Sequence, residues 1–121
     1  MSYFPKIAVD VMYGGSSNSA PTLVSVTVTG TESVGNTLTA TPNGYADAEG
    51  DLAGTHLYMW VRADDEAGTN STEIVGATSA TYVLQGADED KYVQCGIRPV
   101  ALTGTSPGIQ VLSSWMGNIE P

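Results

Sequence analysis

A strand-like block at residues 56–65, centred on Trp60, constrains the fold of this chain more than any other stretch. Tyr58 and Trp60 would point to one face of a strand there, and the residues beside them make the other face apolar too. We therefore predict a central strand that is covered on both sides. An acidic turn at residues 88–90 leads into another strand, which begins at Tyr92. A Trp strand followed by a Tyr strand is how two packed β-sheets place a core Trp and a corner Tyr.

Short β-type runs separated by turn residues occupy most of the remaining chain. Alternation predicts that Val24, Val26 and Val28 face inward from the first run, as do Leu38 and Ala40 from the second. About seven strands at this spacing are typical of an all-β sandwich and not of a helical or α/β protein. The predicted strands cover residues 23–30, 37–41, 57–62, 73–75, 81–84, 92–100 and 109–115.

The N-terminal stretch has a different pattern. Apolar residues alternate with others over residues 7–13, which is the period of a strand with one buried face, and a Gly- and Ser-rich segment follows. We predict that residues 1–20 form an arm and linker and that residues 21–121 form the sandwich. The arm could add a strand to a partner's sheet edge, or fold back as an extra edge strand on its own sandwich. The candidate partner-binding residues are Phe4, Ile7, Val9, Val11 and Tyr13.

The charge of the chain excludes some classes of partner. Its net charge is -9, from 13 acidic residues against only Lys6, Arg62, Lys91 and Arg98. Such a chain has no basic patch to neutralise phosphates or anionic lipid, so we predict that it binds neither nucleic acid nor a membrane surface. No apolar run in the sequence is long enough to span a membrane.

The single cysteine and the single histidine limit the chemistry of the chain. Cys95 cannot form an internal disulfide, and we expect it to be a small buried apolar residue. A catalytic thiol would need a base, and His56 is the only histidine. The sequence also lacks a Gly-rich phosphate loop after a strand and a metal-ligand cluster of His and Cys. We therefore predict a binding or structural protein with no enzymatic activity, no catalytic residue and no cofactor.

Acidic residues cluster in three loops. Asp47, Glu49 and Asp51 alternate in a Gly-containing loop, a spacing that calcium sites use. The alternative is a solvated loop, and the bidentate Glu that an EF-hand needs does not follow. We predict no resident metal, with calcium at this loop as the open alternative. Residues 88–90 are the only other acidic cluster that could contribute, and residues 64–66 are expected to solvate a hairpin tip.

Four motifs occur in order between residues 21 and 115. They are TESVGNTLTA at residues 31–40, YADAEGD at 45–51, YMWVRADD at 58–65 and IVGATSATY at 74–82. This set resembles the immunoglobulin-like modules of tail, head and neck proteins of tailed bacteriophages and of bacterial surface proteins. The resemblance implies an immunoglobulin-like β-sandwich. Antibody-type domains place the corner Tyr two positions before a disulfide Cys, whereas Tyr92 stands three before Cys95, so these two side chains should face opposite sides.

Two functions are compatible with this resemblance, and the one that we favour is a virion structural protein. We expect a capsid decoration or auxiliary protein, assembled in the host cytoplasm, that docks through residues 1–13 and displays the sandwich outward. Its partners would be the major capsid protein or other virion proteins and further copies of itself, with host-surface glycans as weak ligands.

The alternative function is a cell-surface adhesion or glycan-binding module of a bacterial protein. For this function Trp115 is a better contact candidate than Trp60, which is expected in the core. The N-terminus does not resemble a secretory signal, and this favours the virion.

Overall fold

A computed structural model of the protein describes residues 19–121, which form an all-β sandwich of seven strands. The prediction of this fold class is confirmed. The arm residues Phe4, Ile7, Val9, Val11 and Tyr13 lie outside the described residues. The strands are β1 (Ser25–Thr29), β2 (Thr37–Asn43), β3 (Leu57–Ala63), β4 (Thr72–Glu73), β5 (Thr81–Val83), β6 (Tyr92–Arg98) and β7 (Val111–Leu112), and a 3-10 turn covers Gly86–Asp88.

The strands form two antiparallel sheets. One sheet has the order β1-β2-β5, and the other has the order β4-β3-β6-β7. The chain therefore crosses between the sheets three times, after β2, β4 and β5. The fourth strand lies beside the third, whereas in constant-type immunoglobulin domains it lies beside the fifth.

The core lies between the two sheets and follows from strict alternation. Successive side chains of a strand point to opposite faces, so every second residue is buried in β1 and over residues 37–41 of β2. The four-stranded sheet contributes Trp60 and the inward-facing residues of β6, and the C-terminal segment adds Ile119. The buried apolar residues of the core cluster are Leu23, Val26, Val28, Leu38, Ala40, Trp60, Ile74, Tyr82, Leu84, Val93, Cys95, Ile97 and Ile119.

The first strand begins later than its sequence suggests. Val24, which we expected to face inward, is 79% exposed, and Leu23 is buried instead. The chain bends at Val24, whose N–H donates to the carbonyl of Asn43 at 2.9 Å, and regular pairing starts at Ser25 opposite Asn43. This bend breaks the alternation, so the prediction for Val24 is wrong.

The two faces of the central strand β3 are covered to different extents. Trp60 is completely buried, as predicted. On the other face Met59 and Val61 are half-buried, and Leu57 is 52% exposed. Ala63, on this same face, is buried. The prediction of two covered faces is therefore wrong at Leu57 and holds in part for the rest of the outer face.

A chain of polar contacts links the core Trp to the turn before β6. The indole of Trp60 stacks on the ring of Tyr82, with ring centroids 5.5 Å apart, and its Nε1–H donates to the carbonyl of Ser79 at 2.8 Å. The Tyr82 hydroxyl donates to Oδ2 of Asp88 at 2.6 Å. Tyr82 on β5, and not Tyr92, thus has its hydroxyl bonded to the turn. Tyr92 was predicted to be the corner Tyr, and that prediction is wrong.

The two ends of the sandwich carry different loops. The start of the described chain meets the β2–β3 loop, since Ser19 N–H donates to Glu49 Oε1 at 2.9 Å. The β6–β7 loop joins them, since the N–H of Leu102 donates to the carbonyl of Leu52 at 2.7 Å. We call this end, made of residues 19–24, 44–56 and 99–110, the loop end. The opposite end carries the β3–β4 hairpin, residues 64–71, and we call it the hairpin end.

Candidate functional site

The acidic residues predicted from the β2–β3 loop lie together at the loop end. Carboxylate oxygens of Asp47, Glu49 and Asp51 all lie within 4.8 Å of one another. The loop brings them together because Oδ1 of Asp47 accepts the backbone N–H of Glu49 at 2.9 Å and that of Asp51 at 3.3 Å. Such a side-chain-to-backbone turn is a common role of Asp in loops.

Each carboxylate of this cluster has a different environment. Glu49 accepts the N–H of Ser19, and Asp51 accepts the hydroxyl of Thr103 at 3.2 Å. Oδ2 of Asp47 is buried and has no hydrogen-bond partner among the described residues. Oxygen donors of this kind suit Ca²⁺, which takes about six to eight of them. Three carboxylates would need added water or carbonyl ligands, and calcium binding at this loop stays a prediction.

His56 joins two loops at the same end of the sandwich. Its Nδ1 accepts the backbone N–H of Val100 at 2.9 Å, and its ring stacks on Tyr45 with centroids 5.6 Å apart. Burial lowers the pKa of His56. Burial, followed by the charges of Asp47 and Asp51, raises the pKa of Tyr45. The neutral imidazole is therefore the form that fits this position, and it acts as an acceptor.

Cys95 and His56 serve separate structural roles. Cys95 is completely buried on β6 opposite Trp60, and burial raises the pKa of its thiol to about 12. A thiol with this pKa stays protonated and is a poor nucleophile. The imidazole that a catalytic cysteine would require accepts a backbone N–H in the loops instead.

The carboxylates predicted to solvate the hairpin tip also hold its shape. Asp64 forms an ion pair with Lys91 at 2.6 Å and accepts Asn70 at 2.8 Å. The bond from Lys91 is the main cause that lowers the pKa of Asp64. Asp65 Oδ1 accepts the backbone N–H groups of Ala67 and Thr69. These residues are exposed, so the hairpin tip is solvated, but its acidic residues also fix the turn.

Asp88, in the second acidic cluster, has a structural role. It is completely buried, and its oxygens accept Arg62 Nε, the Tyr82 hydroxyl and the N–H of Gln85 at 2.6, 2.6 and 2.8 Å. We considered this cluster as a possible contributor to calcium binding, and for Asp88 that expectation is wrong. Its oxygens already accept hydrogen bonds from protein donors.

The sequence did not reveal a cleft beside β5. Its volume is about 270 Å³, and it lies between β5 and residues 74–79. The N–H of Ala40 donates to the carbonyl of Ala80, and the N–H of Leu84 donates to the carbonyl of Asn36. Ala80 and Leu84 flank β5, so the even-numbered residues here turn their backbone groups toward β2. The backbone groups of Thr81 and Val83 therefore point away from β2, toward the open edge of the sheet. Such an edge can accept an added strand.

The two tryptophans differ in exposure. Trp60 is buried in the core, so its ring offers no surface to a sugar. Trp115 is half-buried, and its indole lies over Gly68, where an added Cβ would come within 3.4 Å of the ring. The contact role of Trp115 stays a prediction.

Comparison with known proteins leaves the family of the chain open. No protein-family model and no curated protein sequence matches it. Within residues 19–121 the structure has no helix of the length and apolar character that a membrane crossing requires.

Proposed function

We propose that this protein is a non-enzymatic virion structural protein, a capsid decoration or auxiliary subunit. In this proposal the N-terminal arm attaches the protein to the particle, and the sandwich is displayed outward. The partners are the major capsid protein or other virion proteins, with further copies of this chain beside it.

The observation that carries the proposal is the point at which the chain joins the sandwich. Ser19 is bonded to Glu49, and Thr22 pairs with Ala46, so the arm connects at the loop end. The hairpin of residues 64–71 lies at the other end. An arm tied to one end holds that end toward its partner and directs the other end away, which is the geometry of an anchored and displayed domain.

A single arm on a flat surface would bind weakly. Burying Ile7, Val9, Val11 and Tyr13 would contribute about 6 to 12 kcal/mol, at about 1.5 to 3 kcal/mol each. Ordering the strand of residues 7–13 costs about 1 to 2 kcal/mol per residue. Because these quantities nearly cancel, the arm needs a preformed groove on the partner or several arms that bind together.

Quantitative mass spectrometry of density-purified particles and of cell envelopes from one culture tests the proposal. We expect the chain in the particles, in a fixed copy number, with its N-terminal peptide intact. Recovery only in envelopes would contradict the proposal and favour the adhesion module.

A matched pair of variants then tests the arm. Replacement of the apolar face, by I7S/V9S/V11S, should abolish binding of the purified protein to particles. Replacement of the opposite face, by A8S/M12S, should leave binding intact. Equal binding by both variants would contradict anchoring through residues 7–13.

A further inference from the structure

The loop end carries large apolar side chains that the fold leaves exposed. Val24, Leu52, Leu102 and Ile109 range from 67% exposed at Leu102 to 82% at Ile109. Isolated exposed apolar residues are normal on a protein surface, whereas a group at one place indicates an interaction site. These four residues lie on the three segments that meet at the loop end.

The backbone holds two of these residues in a fixed position. The N–H of Leu102 donates to Leu52 at 2.7 Å, Ala53 bridges to Ala101, and the N–H of Gly54 donates to Val100 at 2.7 Å. The β2–β3 and β6–β7 loops are thus paired as a short ribbon that presents Leu52 and Leu102 side by side. A preorganised surface loses less conformational entropy on binding than a mobile loop does.

The loop end is acidic as well as apolar. Asp47, Glu49 and Asp51 lie close together within the β2–β3 loop, and the segments of the loop end contain no Lys or Arg. Arg98, at the end of β6, is a cation next to this end, and its Nε–H donates to the carbonyl of Gly108 at 3.1 Å. The net field of this end is negative, so it favours a partner with positive potential.

We infer that the loop end is a docking surface for a protein surface that is apolar at its centre and basic at its rim. This inference rests on the proposed function in one respect, because the partner is taken to be the same particle surface that receives the arm. The arm connects to the sandwich beside Glu49, so arm and loop end would reach one partner together. Binding through both raises the overall affinity above that of either alone.

Four variants of the full chain test the docking surface. L52S/L102S removes its apolar centre, and V75S/V83S is the matched control, since both valines are exposed but lie beside the β5 cleft. D47N/E49Q/D51N removes three charges at the loop end. D64N/D65N/E66Q removes three charges at the hairpin end. Thermal unfolding confirms that each variant is folded before binding is measured.

The first probe is a bead that carries phenyl and quaternary ammonium groups, which has the stated chemistry without any biological partner. We expect each loop-end variant to bind on the order of tenfold more weakly, and each control within about twofold of the unchanged chain. Equal losses in loop-end and control variants would overturn the docking surface.

The second probe is the density-purified particle, and it separates this inference from the proposed function. If the unchanged chain binds tightly and both loop-end variants lose affinity on the order of tenfold, both proposals are supported. Tight binding that all four variants retain leaves the virion function standing and overturns the docking surface. If the unchanged chain does not bind particles, the virion function fails, and the bead result alone decides whether the loop end has the inferred chemistry.

Discussion

The hydroxyl of Tyr82 donates to the completely buried carboxylate of Asp88 at 2.6 Å, six positions further along the chain. Tyr82 belongs to the three-stranded sheet, whereas Asp88 lies in the turn that leads into the four-stranded sheet. Arg62, from the four-stranded sheet, meets the other oxygen of Asp88. The carboxylate thus ties the two sheets together at the hairpin end, where the chain crosses between them.

Replacing Asp88 should be among the most destabilising changes in the described part of the chain. D88A leaves the Arg62 guanidinium, the Tyr82 hydroxyl and the Gln85 N–H without their acceptor. Removing one member of a buried ion pair costs about 3 to 5 kcal/mol. Urea unfolding measures this loss, and E89A at the exposed neighbouring position is the control that should change little. A D88A variant as stable as E89A would show that the buried carboxylate does not stabilise the fold.

Replacing Tyr82 with Phe isolates one bond of this network. Y82F keeps the ring stack on Trp60 but removes a hydrogen bond to an ionised group, which is worth about 1.5 to 3 kcal/mol. Burial, followed by Asp88, raises the pKa of Tyr82 to about 12, so its hydroxyl ionises late in an alkaline titration. Since the unfolded chain ionises this group nearer the ordinary tyrosine pKa of 10.0, the stability that Tyr82 contributes is lost as the pH rises above that value.

Ultraviolet titration of the folded protein checks the assignment of this pKa. The unchanged chain should show a tyrosine step near a pH of about 12, and Y82F should lack that step. A Y82F variant that retains the same late step would assign it to another tyrosine.

The fold was predictable because its signals are local. Alternation at Val26, Val28, Leu38 and Ala40 records directly which side of each strand is buried. The acidic cluster of the β2–β3 loop was predictable for the same reason, since alternate residues of one short loop remain close together. Val24 was not predictable, because a bend that depends on pairing with Asn43 interrupts the pattern there.

Features that depend on how the sheets meet were hidden in the sequence. Either Tyr82 or Tyr92 could have reached the acidic turn, and only the crossing from β5 to β6 selects Tyr82. The cleft beside β5 was hidden because a strand's position at a sheet edge depends on partners far away in sequence. The exposed residues at the loop end were hidden because Leu52 and Leu102 are fifty positions apart and meet only through loop pairing.

Acidification should weaken the loop end through His56. Burial lowers the pKa of His56 below the ordinary histidine value of 6.5, so as the pH falls the unfolded chain takes up this proton first. The stability that the neutral imidazole contributes is complete above that value and is lost as the pH falls from there toward the folded pKa. Proton uptake at Nδ1 would also break the bond from Val100.

Because the chain has one histidine, NMR titration of its ring gives the folded pKa without ambiguity. Urea unfolding measures the free energy of unfolding at about pH 7 and about pH 5. This free energy should fall more between the two pH values for the unchanged chain than for H56Q, whose side chain does not titrate. A folded pKa at or above 6.5, with equal losses of stability in the two proteins, would contradict the role of His56.

A glycine at the loop end fixes the start of the sandwich. An added Cβ on Gly108 would come within 1.9 Å of the carbonyl oxygen of Pro21 and 2.9 Å of the Pro99 ring. Both neighbours are rigid and buried, so neither can move aside cheaply. We expect G108A to destabilise the protein by about 1 to 3 kcal/mol, the usual cost of overpacking.

Gly86 provides the matched control for this substitution, because an added Cβ there meets nothing within 4 Å. G86A should be neutral or slightly stabilising, since alanine restricts the unfolded chain more than glycine does. Chemical denaturation of both variants makes the comparison, and proteolysis near Pro21 reports whether the start of the sandwich has loosened. If G108A were as stable as G86A and equally resistant to proteolysis, the close approach of Gly108 to Pro21 would not be required for the fold.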